Sequence, residues 1–397
     1  MKKFAVCFLI LAMLSSLLVG CATSPTGSAS PTATASSPSP TATASSPSPT
    51  ATVSSPSPTA SPEAKMKVAF LYDTTVGDFG WYYGHEKARK LTQAALDFVE
   101  TSYLENVTPG AQAERVMTEL CNSGYSVIVA ATSGYEADSL KVAEKFPNVK
   151  FLNCCGVTVT ANVETFYPLT TQIWYMLGQV AGKLTKSNVL GMVGAVVFPV
   201  DLQIQNAWLL GAQSVNPAVT ERIIYINTYY DPAAERDAAL ALIDAGADVI
   251  AQATNDPAHV QAAEEKGVYA MSQFEDMRQF GANAYVSGDV FFWEKYYIPT
   301  LQAIHDGSWK ARSFWPDIFS GVAGMADFGP MVTDEMKALV AASKEKMKTD
   351  PEFFWKGPIK DVNGTVRVEA GKQLTQEQLL SMDWWVQGVV TSMKSNP

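Results

Sequence analysis

The sequence predicts an α/β protein of two similar lobes, each built on a parallel sheet. Three observations support this. Short β-rich apolar runs alternate with helical patterns, and the cycle occurs twice along the chain. The runs are continuously apolar, as in strands buried on both faces. About 330 residues follow the N-terminal region, more than one small core usually serves.

The chain opens on "MKKFAVCFLILAMLSSLLVG" (1–20), two lysines, a short apolar core and then small residues, which reads as a secretory signal. The stretch "LVGC" (18–21) resembles a lipobox, which implies cleavage before Cys21 and acylation of that residue. Residues 21–65 are the expected acylated cysteine and tether. They are dominated by Ser, Pro, Thr and Ala, and "SPTATASSP" recurs at 30 and 39 and, with Val53 for Ala, at 48. Such a repeat has no apolar face to bury and is expected to stay extended.

Beyond the tether, "MKVAFLYD" (66–73), "VETSYLEN", "YSVIVAAT" (125–132) and "VKFLNCC" read as strands, separated by helices over 84–98, 111–123 and 136–145. The second cycle has strands at 188–197, 220–229, 247–254 and "VYAMSQF", with helices near 201–215, 232–245 and 257–266. "DVNG" (361–364) reads as a hairpin turn. Without Lys2, Lys3, Lys65 and Glu63, the remainder carries 26 basic and 38 acidic side chains, net −12. That balance opposes nucleic acid as a partner and limits membrane contact to the acyl anchor. Cys121, Cys154 and Cys155 have neither paired nor zinc spacing, so no metal or cofactor is expected. No nucleophile elbow, P-loop or H-E-x-x-H motif points to an enzyme.

In parallel sheets, ligands lie beyond the carboxyl ends of the strands. "GDFGWYYGH" (77–85) occupies such a position, as do "SGYEAD" (133–138), "FPVD" (198–201), "NDPAH" (255–259) and "FEDM" (274–277). Facing loops from two lobes would enclose a cleft.

Long motifs carry a family resemblance: "KVAFLYDTTVGDFGWYYGHEKAR", "ATSGYEADSLKVAEKFPNVKF", "YDPAAERDAALALIDAGADVIAQATNDPAHVQAAEEKGVYA" and "GPIKDVNGTVRVEAGKQL". The chain resembles the basic membrane protein family, bacterial substrate-binding lipoproteins of ABC importers that include purine nucleoside receptors. The resemblance implies a type I periplasmic-binding-protein fold, with two Rossmann-like lobes joined by three crossovers at a hinge. Lobe one is then 66–186 plus 286–318, and lobe two is 187–285 plus 319–397. It also implies a non-catalytic monomer on the extracytoplasmic face of the membrane, partnered by a small-molecule ligand and an ABC permease.

The resemblance makes Trp81 a candidate to stack on a flat ring, with Phe79 and Tyr135 as further contacts and Tyr82 and Tyr83 as weaker ones. Asp78 either accepts from the ring's N–H edge or caps the following helix. Asp201, Asn255 and Asp256 are expected to close from lobe two, with capping as the alternative for the two aspartates. Trp293 is pocket wall or core. Family nucleoside receptors grip ribose with an Asp and a Lys, and those positions align with Phe274 and Phe291. The aromatic pair favours a free base or a similar flat heterocycle. A small slip of that alignment would instead bring Glu275, Asp276 or Asp289 to a sugar. A ligand sensor feeding a signalling protein is the alternative to an importer.

The anchoring expectation is testable by fractionation. Cys21→Ser should release the protein from membranes or leave its signal uncleaved, because acyl chains are the strong membrane attachment this sequence offers. A mutant that fractionates like the parent would remove the lipoprotein reading.

Overall fold

A computed structural model describes residues 64–393. The signal, Cys21 and most of the tether lie outside the described residues. The first cycle folds as β1 (Met66–Leu71), α1 (Trp81–Ala95), β2 (Val99–Leu104), α2 (Ala111–Asn122), β3 (Val127–Ala130), α3 (Glu136–Lys145), β4 (Lys150–Cys154) and β5 (Val163–Phe166). After α4 (Thr171–Leu184), the second follows as β6 (Val189–Gly194), α5 (Pro199–Val215), β7 (Thr220–Tyr225), α6 (Pro232–Asp244), β8 (Val249–Ala253), α7 (Ala258–Lys266), β9 (Tyr269–Ser272) and β10 (Tyr285–Phe291). Then come α8 (Glu294–His305), β11 (Ser313–Phe314), β12 (Ala323–Met325), α9 (Asp334–Met347), the pair β13 (Ile359–Lys360) and β14 (Val366–Val368), and finally β15 (Val389–Thr391).

The sheets run β2-β1-β3-β4-β5-β11 and β15-β7-β6-β8-β9-β10-β12, parallel except for the β10–β12 pair. Each has the doubly wound order with its switch point beside the first strand of the cycle. The continuous apolar runs are explained by burial on both faces. Along β1, Val68 and Phe70 join one core cluster while Ala69 and Leu71 join another on the opposite face. "DVNG" forms the turn between antiparallel β13 and β14, where Asp361 Oδ1 accepts from the amides of Asn363 and Thr365, each at 2.9 Å.

The structure moves two of the expected lobe boundaries. Strand β10, assigned by sequence to the return into lobe one, is hydrogen-bonded between β9 and β12 in the second sheet. Helix α4, assigned to lobe one, packs on α5 and α9 instead. The chain therefore first crosses between Phe166 and Thr171, and crosses back only after Phe291, so that α8 packs on α1 and β11 pairs with β5. Continuous hydrophobicity cannot reveal which of two similar sheets a strand joins.

Helices α4 and α5 meet almost backbone to backbone. A Cβ on Gly178 would lie 2.0 Å from the Trp208 carbonyl oxygen, and one on Gly211 would lie 2.0 Å from that of Tyr175. No rotamer change relieves a clash with backbone, so the helices would have to separate. Gly178→Ala is expected to cost about 1–3 kcal/mol, seen as a lower midpoint in denaturant unfolding. An unchanged midpoint would show that the helices separate freely.

A candidate ligand cavity between the lobes

The aromatic loop after β1 divides its four rings among different tasks. Asp78 is buried, and its carboxylate accepts from the amides of Gly80 (3.0 Å), Tyr82 (3.1 Å) and Tyr83 (3.0 Å). From two residues before the Gly80 N-cap it takes up the first-turn amides of α1, which starts three residues earlier than the apolar pattern suggested, and both oxygens are committed. Burial pushes its carboxyl up to about 6 against the pull of those three N–H groups. Phe79 has φ 56°, and its ring stacks on Tyr83 (4.6 Å) and meets Phe280 of the second lobe edge-on (4.9 Å). Gly80 is required beside it, since a Cβ there would lie 2.7 Å from Asn255 Cα across the cleft. Asp78 and Phe79 thus build the contact between lobes and do not line the cavity.

Trp81 and Tyr82 do line it. The cavity encloses about 560 Å³ between loops from the carboxyl ends of both sheets. The Trp81 indole N–H donates to the Ala131 carbonyl at 2.7 Å, which fixes the ring. Around it stand Phe274 (5.2 Å), Trp293 (5.5 Å) and Phe291 (5.9 Å), all edge-on, with Tyr167 inclined by 27° at 6.2 Å. Phe274 lines the cavity from lobe two. Trp293 forms a second layer, stacked between His85 (4.4 Å) and Phe291 (4.8 Å). Tyr135 is farther removed: it sits in the core of lobe one and donates to the Val107 carbonyl at 2.5 Å, while Thr132, Ser133 and Gly134 of its loop reach the cavity.

Phe274 has φ 75°, a region costly for a bulky side chain, and hydrogen bonds hold it there. Its amide donates to Asp289 Oδ1 at 2.8 Å and its carbonyl accepts from Phe291 N at 3.1 Å. Asp289 Oδ2 accepts from the Trp174 indole at 3.1 Å, so this carboxyl, pushed up to about 7 by burial, positions the wall without facing the cavity. Glu275 pairs with Lys87 of α1 at 2.6 Å across the lobes, and Asp276 with Arg278 at 3.0 Å. None of these three acids lines the cavity.

The polar lining comes from both lobes. Thr74 Oγ1, Asn255 Oδ1 and Gln273 Oε1 are buried around the cavity without a hydrogen-bond partner. Leaving such atoms unpaired costs free energy that a bound ligand can recover. Asp201 also lines it, accepts from the Tyr229 hydroxyl at 2.9 Å, and is pushed up to about 7 by burial. Asp73, raised by burial, accepts from the Tyr82 hydroxyl at 2.6 Å. Asp73, Thr74 and Gln273 were missed by sequence reasoning. Their signal was position alone, directly beyond the ends of β1 and β9.

Asp256 lies one layer behind. Oδ1 accepts from the Ala258 amide at 2.9 Å, the capping alternative, while Oδ2 is buried near the Glu235 carboxyl. Beside it, Glu235 Oε1 lies 2.8 Å from His259 Nδ1, and His259 Nε2 lies 3.0 Å from the Met271 carbonyl. The carbonyl can only accept, so Nε2 carries a proton; a second proton must then lie between Nδ1 and Glu235. Burial, then the Glu235 charge, pushes Asp256 up to about 7, and burial pushes Glu235 up to about 7.

These shifts have a defined sign. Carboxyls ionising near 7 when folded and near 4 when unfolded make the folded state bind more protons between those values, so stability falls as pH rises through that window. Asp256→Asn keeps the Oδ1 acceptor and removes one ionisation. Its melting temperature should therefore drop less between pH 5 and pH 8 than the parent's, by about 2 °C or more. An equal drop would remove Asp256 from this account.

Among the described residues, no helix is long and apolar enough to cross a membrane. Residues 65–351 match the family model for PnrA-like ABC transporter substrate-binding proteins. The chain is 38% identical over 328 residues to a purine-binding protein of Brucella abortus, covering 82% of this chain and 93% of that one. It is 36% identical over 292 residues to a putative ABC transporter glucose-binding protein of Haloferax volcanii, covering 74% of each. Solute-binding proteins from Aeropyrum pernix (TM-score 0.65, 16% identity, 80% of this chain and 96% of that one) and Conexibacter woesei (0.61, 22%, 72% and 97%) share the fold. The two doubly wound sheets, the cavity at their facing carboxyl ends and these matches lead to one conclusion: the chain belongs to the PnrA-like family of ABC transporter substrate-binding proteins.

Proposed function

We propose that this protein is the lipid-anchored, extracytoplasmic receptor of an ABC importer and captures a free purine-type nucleobase or a similar flat heterocycle. The observation that carries the reading is a cavity walled by Trp81 and Phe274 and bordered by unpartnered polar atoms of Thr74, Asn255 and Gln273. A flat ring can stack on the aromatic wall while its edges satisfy those atoms. Phe274 supplies no charged grip for ribose, and Glu275, Asp276 and Asp289 are engaged elsewhere. The purine-binding relative supports the same class. Binding would proceed by hinge closure, with loops of both lobes meeting over the ligand and a monomer presenting the closed shape to the permease. Its work is capture and delivery, with no chemical step.

One observation favours a second reading, a hydroxyl-rich ligand. Asp73 and Asp201 are carboxyls on the cavity, and the Haloferax relative is named as a putative glucose-binding protein. Calorimetry with adenine, adenosine and glucose separates the two. The nucleobase should bind at least tenfold tighter than its nucleoside, and Trp81→Ala should weaken it by about 1–3 kcal/mol, roughly 5- to 150-fold. Adenosine or glucose binding more tightly than adenine would overturn the nucleobase reading.

A further inference from the structure

Two thiols lie side by side at the cavity. Cys154 ends β4 and is fully buried; Cys155 follows it, is partly exposed and lines the cavity. Their sulfurs are 3.9 Å apart. Cys155 has φ 59°, and its amide donates to the Phe166 carbonyl at 3.0 Å, which fixes this uncommon turn. A Cβ on Gly156 would lie 2.3 Å from Asn153 Nδ2, so the chain beyond is tightly held as well. The remaining free cysteine among the described residues, Cys121, is buried on α2 in the other face of lobe one.

We propose that Cys155 and Cys154 form a reversible oxidation site on the ligand cavity, converted by small disulfides into a disulfide between neighbouring residues. The Cys155 thiolate attacks one sulfur of the small disulfide, forming a mixed disulfide and expelling one small thiol. The Cys154 sulfur, giving up its proton, then attacks the Cys155 sulfur and expels the second. The two protein thiols lose two protons and two electrons, and the small disulfide takes them up as two thiols. Attack begins at Cys155 because it faces the cavity, whereas burial raises the Cys154 thiol well above its ordinary range. Neighbouring Cα atoms stand about 3.8 Å apart, below the usual disulfide span, which makes the bond readily reducible. A secreted chain meets disulfide oxidants of this kind. Bonding draws the Cys155 sulfur toward Cys154 from 3.9 Å to about 2 Å, and the cavity loses both a thiol donor and packing at that point.

The test is mass mapping of the full mature chain after exposure to oxidised glutathione and alkylation of the remaining thiols. The expected result is a peptide containing Cys154 and Cys155 that is two hydrogens lighter, unalkylated and restored by dithiothreitol, with Cys121 unoxidised. Cys154→Ser should instead leave a lasting glutathione adduct on Cys155. Two reduced thiols, or a lasting adduct in the parent protein, would overturn the proposal. Adenine titrated into both forms reads the consequence: at least threefold weaker binding after oxidation is expected, and equal affinity would refute an effect on the ligand. If adenine binds neither form while the disulfide forms, the nucleobase reading fails and the oxidation site stands.

Discussion

A single buried carboxyl group, that of Asp289, ties together the parts on which the cavity depends. It lies near the end of β10, just before the chain returns to lobe one, and holds the Phe274 amide and the Trp174 indole at once. Trp174 belongs to α4, the first element after the chain crosses into lobe two. One side chain thus fixes a wall of the cavity relative to two crossovers. Burial pushes its carboxyl up to about 7, because the ionised form is the costlier one to bury.

The site has a layered construction. Trp81, Tyr82 and Phe274 reach the cavity, while Trp293, Phe291 and His85 stand behind them as a stacked support. His85 is kept uncharged by burial, its pKa pushed down to about 3, and Nδ1 meets the Tyr297 hydroxyl at 2.6 Å. On the lobe-two side, Asp256, Glu235 and His259 support the loop that presents Asn255 in the same indirect way. Rings and carboxyls locked by a second layer keep the first layer from collapsing into the cavity.

The contacts across the cleft use small and charged groups beside the aromatic wall. Gly80 meets the Asn255 backbone, Phe79 meets Phe280, and Lys87 pairs with Glu275. Trp81 adds edge-on ring contacts to Phe274 and Phe291 of the second lobe, and the partly exposed ion pair contributes little beside them. The extensive core lies elsewhere, between α4 and α5, where near-contact of backbones leaves no room for sliding.

The sequence by itself determined the two α/β cycles and the strand-end positions of the loops that border the cavity, because apolar periodicity and chain position are local properties, whereas Trp81 and Phe274 stood out only through the family resemblance. Only the tertiary structure decided that β10 and α4 belong with the second sheet, since two sheets of the same construction offer a strand equivalent hydrogen bonds. It also decided the fate of the acids. Asp78, Asp256 and Asp289 spend oxygens on backbone amides, whereas Asp73 and Asp201 line the cavity. The same carboxylate can cap a helix, hold a loop or face a ligand, and what selects among these is which N–H groups the fold brings within hydrogen-bonding reach.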